Sequence, residues 1–61
     1  MNETNQISII DKTTEGALKQ VKKFAEGIPG AHNFRVARYK LVSEELGTWG
    51  WSGYFDTPSM E

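Results

Sequence analysis

Thr48-Trp49-Gly50-Trp51-Ser52-Gly53-Tyr54-Phe55 alternates large and small side chains with a period of two. Successive side chains of a strand point to opposite faces, so Trp49, Trp51, Gly53 and Phe55 share one face. Thr48, Gly50, Ser52 and Tyr54 share the other. A strand with one aromatic face and one nearly bare face needs a single covering layer.

Residues 14–28 supply it. Ala17, Leu18, Val21, Phe24, Ala25 and Ile28 recur at steps of three and four, forming one apolar helical stripe. Trp49, Trp51 and Phe55 are expected to pack on Leu18, Val21 and Phe24. Two indoles and a phenyl ring exceed what one short helix covers, so at least one Trp should stay partly exposed. Thr13 or Thr14 can accept a bond from a free first-turn N–H, and Glu15 suits the positive helix end. Gly16 inside the first turn costs up to ~1 kcal/mol relative to Ala, which points to a close approach of backbone. Gly27 is placed as a left-handed C′ residue, and Pro29 stops the helix.

Ile28-Pro29-Gly30-Ala31 has type II turn chemistry, with Pro second and Gly third. Residues 33–42 read as the second strand, but with conflicting parity: Phe34 and Val36 point one way, Tyr39 and Leu41 the other. Either a bulge near Ala37 shifts the register or both faces are partly covered. If Arg38 and Lys40 are exposed on the face of Phe34 and Val36, then Ala37, Tyr39 and Leu41 point into the core. Ser43-Glu44-Glu45-Leu46-Gly47 reads as a hairpin loop with Gly47 at positive φ. The first strand is expected over residues 6–11, where Ile7 and Ile9 alternate with Ser8. Residues 1–5 and 57–61 are expected to be tails, with Pro58 ending any pairing.

The expected fold class is therefore α+β: one small β-α-β-β domain over residues 1–61, with a three-stranded, mainly antiparallel sheet and one helix on one face. Dodecin-like flavin binders and split ferredoxin-like modules also show this element order, so the order alone defines no function.

Composition bounds the rest. Sixty-one residues hold one domain with a thin stability margin, and small domains look to disulfides, metals or partners for support. Cysteine is absent and His32 is the only histidine, so disulfides and thiolate metal sites are excluded. Packing or oligomerisation remains, and a homodimer is expected. Seven basic and eight acidic side chains give a net charge of −1, without the field that captures nucleic acid or an anionic membrane. No apolar run approaches a membrane span, and residues 1–6 lack the pattern of a signal peptide. The expected location is the cytoplasm, including that of a host cell.

No catalytic, cofactor or metal motif is apparent, and the chain is read as non-enzymatic. Gly50-Trp51-Ser52-Gly53 lacks the spacing of a nucleophile elbow. His32 has no identifiable carboxylate partner. Lys19, Lys22 and Lys23 read as a solvated helix face, and Glu44 and Glu45 as solvated loop acids. Trp49, Trp51, Tyr54, Tyr39, Arg38 and Lys40 are the candidate partner-binding residues, because aromatic and Arg side chains dominate interface energetics. The expected function is binding to a larger protein partner, as an inhibitor or adaptor of the kind phages and mobile elements encode. Starting with Met1, the chain is read as complete. One alternative is a single-stranded nucleic-acid platform using Arg35, Arg38 and Lys40 beside the aromatics. Another is an oligomeric binder of a planar small molecule.

Overall fold

The computed structural model describes residues 2–59. Strand β1 (Asn2–Asp11) leads into helix α1 (Thr14–Phe24), which tightens into a 3-10 turn over Ala25–Gly27. Strands β2 (His32–Ser43) and β3 (Thr48–Pro58) follow as a hairpin. The sheet order is β1-β3-β2, both pairs are antiparallel, and the helix packs on one face. The aromatic strand is thus the central one.

Its two faces divide as the alternation requires. Trp51, Phe55 and Gly53 are buried on the helix side, with Trp49 half-buried beside them. Ile9, Ala17, Val21 and Ala25 complete the buried apolar core. Gly53 explains how the layers come so close. A Cβ there would overlap Val21 Cγ2 and lie 2.8 Å from Ile9 Cδ1. The bare position in an aromatic row is where the helix seats.

The helix start is tied to the end of β1. Thr13 is the N-cap, its hydroxyl accepting from Gly16 N–H at 3.0 Å. Asp11 Oδ1 accepts from Lys12 N–H (2.7 Å) and Thr13 N–H (3.2 Å), and Asp11 Oδ2 from Gln20 Nε2 (2.6 Å). Gly16 leaves room for that carboxylate, which a Cβ would overlap. These bonds, led by that from Thr13 N–H, hold the Asp11 carboxyl below its usual range.

Several expectations are corrected. The first strand begins at Asn2, four residues early, and β3 continues to Pro58. Asn2 lies opposite Pro58, Glu3 opposite Thr57 and Thr4 opposite Asp56, so residues 2–5 and 57–58 are sheet rather than tail. Met1, Met60 and Glu61 lie outside the described residues. The second strand is longer by one residue at each end than expected. Gly27 is not left-handed; the helix closes through the 3-10 turn, with Ile28 N–H donating to Ala25 C=O at 2.9 Å. Phe24, expected in the core, is 57% exposed, with its ring tilted against Phe55 at 6.1 Å between centroids.

The parity conflict in β2 is resolved by bulges. Arg38 lies opposite Trp51 and Lys40 opposite Gly50, so Tyr39 is the extra residue. Trp51 and Gly50 are neighbours on β3 and face opposite ways, so Arg38 and Lys40 do too. Phe34 and Val36 pack toward the helix, while Ala37, Tyr39 and Leu41 are exposed. The inward placement expected for those three is not found: Ala37 lies opposite Ser52 on the open face, the extra residue Tyr39 lies over Gly50, and Leu41, returned by the bulge to the face of Trp49, is exposed at the hairpin end. Both turn expectations hold: Gly30 has φ 79° and Gly47 φ 65°.

Candidate partner-binding surface

The hairpin end of the sheet carries the exposed apolar surface. Among the described residues, Ile10, Phe24, Tyr39, Leu41, Val42 and Leu46 are the exposed large hydrophobic side chains. Phe24 alone lies elsewhere. The strand register explains the gathering, since Ile10, Gly50 and Lys40 form one row and Asp11, Trp49 and Leu41 the next. Leu46 sits in the loop beyond, its N–H held by Ser43 Oγ at 3.3 Å.

The face away from the helix is floored by small residues. Gly50 leaves space for the Tyr39 ring, whose Cζ would lie 3.1 Å from a Cβ at that position. Ser8, Ser52 and Ala37 form the next row and Gln6, Tyr54 and Arg35 the one after. Gln6 Nε2 reaches over to Ser52 Oγ at 3.2 Å.

The sequence-derived candidates separate into distinct environments. Trp51 is 3% exposed and its indole N–H donates to Asp11 C=O at 2.9 Å, so the ring belongs to the core. Trp49 is the half-buried indole, covered on the helix side by the Arg38 guanidinium, 4.3 Å from the ring centroid. That stack is worth about 0.5–1 kcal/mol at an exposed site and holds Arg38 flat against the aromatic row. Tyr39 is 54% exposed, with Lys40 Nζ 5.8 Å from its ring centroid. Tyr54 is half-buried on the open face, with Arg35 at 5.7 Å. Trp49, Tyr39, Arg38 and Lys40 therefore converge on the hairpin end, while Tyr54 lies two rows away.

Arg35 is committed to a structural cluster. Asp56 is 9% exposed and accepts from Asn33 Nδ2 (2.9 Å), Thr4 Oγ1 (3.0 Å) and Arg35 Nη1 (3.2 Å). One carboxylate on the central strand thus fastens both neighbours. The Asn33 bond foremost, then those from Thr4 and Arg35, outweighs burial and keeps the carboxyl below its usual range. Asn33 reaches Asp56 from a left-handed backbone (φ 56°), which Asn tolerates better than most residues. With Arg35 held by Asp56 and Arg38 facing away from Lys40, the three β2 cations do not share one face. His32 hydrogen-bonds through Nδ1 to Gly30 C=O at 2.7 Å.

Sequence reading missed Ile10, Leu41, Val42 and Leu46 as surface residues, and the whole Asp56 cluster. Leu46 carried a legible signal, a large apolar side chain inside a polar turn. Among the described residues no group of three His, Cys, Asp or Glu side chains is placed to hold a metal. No helix of the described residues is long and apolar enough to cross a membrane.

Fold and surface define a class, a two-layer β-α-β-β domain with an apolar hairpin end. The chain matches no protein-family model, no curated protein and no solved structure.

Proposed function

We propose that this chain is a small interaction protein that acts by occupying a surface on a larger protein partner. The supporting observation is the concentration of exposed apolar side chains at the hairpin end, with Ile10 and Tyr39 on the open face, Leu41 on the face of Trp49, and Val42 and Leu46 toward the loop. Apolar clusters rimmed by charge mark association sites, and Arg38, Lys40, Glu44 and Glu45 provide that rim. Trp49 serves as the anchor, already stiffened by Arg38, so little side-chain freedom is lost on binding. Such a chain would act as an inhibitor or adaptor, of the type phages and mobile elements encode, in the cytoplasm of the cell that holds its partner. Self-association belongs to the same reading, because among the described residues only six apolar side chains are buried and two of them are alanine.

Leu46→Asp tests this directly. Leu46 is 64% exposed and outside the core, so the variant should keep the native circular dichroism spectrum and melting temperature. Tagged wild-type protein recovered from host lysate should retain a partner that this variant loses by at least tenfold, as does Trp49→Ala. Equal recovery by wild type and both folded variants would rule the hairpin end out.

A further inference from the structure

The two outer strands of the sheet are finished differently. β2 carries register irregularities between His32 and Arg35, Arg38 and Lys40, and Leu41 and Ser43, and it bears Arg35, Arg38 and Lys40. Bulges and cations are the usual devices that keep an edge from pairing with another chain. β1 has neither. Its ten residues pair with β3 without a single register shift from Asn2↔Pro58 to Asp11↔Trp49. It contains no Pro, Lys or Arg. Its outer rim is a straight run of backbone donors and acceptors of the kind that adds a strand.

The molecule also has surface to lose. Its accessible area is 4510 Å², against about 4,000 Å² for a compact monomer of this mass. The radius of gyration is 12.6 Å, where a compact chain of this length has about 10.5 Å. Net charge of −1 sets up little repulsion between copies.

We propose that β1 is a self-association edge, and that two copies join through antiparallel β1–β1 pairing into one six-stranded sheet. The inference rests on the interaction reading above but uses a different surface from the hairpin end. A two-fold axis perpendicular to the sheet puts both helices on one side and pairs residues of like parity. With the axis at Ser8, Ile7 faces the partner's Ile9 twice, covering the half-buried Ile7, and Asn5 faces the partner's Asp11. Centring the axis at Ile7 would set Glu3 against the partner's Asp11 twice, and centring it at Ile9 would set Ile7 against Asp11. Ser8 is therefore the centre, and Gln6 meets Ile10. Gln20 Nε2 already donates to Ile10 C=O at 3.0 Å, and that oxygen keeps a second lone pair for a strand donor.

The absence of cysteine makes the test clean. Ser8→Cys is exposed and would meet its own copy at a Cα separation of about 4.5–5.5 Å, within disulfide range. Under mild oxidation at micromolar concentration it should form a disulfide dimer at least tenfold faster than Glu45→Cys in the hairpin loop. Wild-type protein should sediment as a dimer, and Ser8→Lys should shift it to monomer or unfold it. A wild-type monomer at 100 µM, a folded Ser8→Lys that remains dimeric, or equal crosslinking of the two cysteine variants would overturn the proposal. Leu46→Asp should remain dimeric, so failure of partner binding and failure of dimerisation are read separately. Dimerisation lost in Leu46→Asp but kept in Ser8→Lys would place self-association at the hairpin end and refute the β1 edge.

Discussion

Two glycines separate packing from conformational freedom. A Cβ at Gly53 would overlap Val21 and crowd Ile9, so Gly53→Ala must push the helix off the sheet. It is expected to lose about 1–3 kcal/mol in urea unfolding, the usual cost of overpacking. Gly27 has no atom within 4 Å of a Cβ and does not have positive φ. Gly27→Ala should therefore be neutral or gain about 0.4–1 kcal/mol. Asp56 contributes to acid sensitivity. Its folded-state pKa is depressed, so its contribution is fully present above the unfolded value and lost as pH falls below about 4. Asp11 adds a change of the same sign. Asp56→Asn should be less stable than wild type at pH 7 and should show a shallower fall in melting temperature between pH 5 and 2. The alternation of residues 48–55 made Gly53's face legible from sequence. The role of Asp56 was not, because its partners Thr4 and Asn33 are 52 and 23 positions away.

At the level of elements, local chemistry was readable and long-range register was not. The helical stripe, the Thr13 cap, the Pro29-Gly30 turn and the Gly47 loop follow from residue types a few positions apart. Thr13→Ala should cost about 1 kcal/mol by thermal melting, since it removes the acceptor for Gly16 N–H. Strand ends depended on pairing across the whole chain: Asn2 joins the sheet because Pro58 lies opposite, a relation no local window contains. The β2 bulge was legible as a parity conflict, but its position at Tyr39 was fixed by the β3 partners, and with it the faces of Tyr39 and Lys40. The candidate residues divide along the same line. Trp51 and Trp49 look equivalent in sequence, yet Asp11 C=O takes the first indole into the core and Arg38 lies over the second.

The whole molecule is an extended sheet, 46 × 17 × 12 Å, with one helix covering part of one face. Among the described residues the buried aliphatic side chains are Ile9, Val21 and two alanines, a core that supports a lone monomer only weakly; the proposed pairing would add burial. Thermal stability measured as a function of protein concentration tests this most directly. If folding is coupled to pairing of two copies, a hundredfold rise, from about 1 to 100 µM, should raise the melting temperature by roughly 5–10 °C through mass action. A melting temperature constant to within about 1 °C over that range would contradict it and leave the chain a self-sufficient monomer.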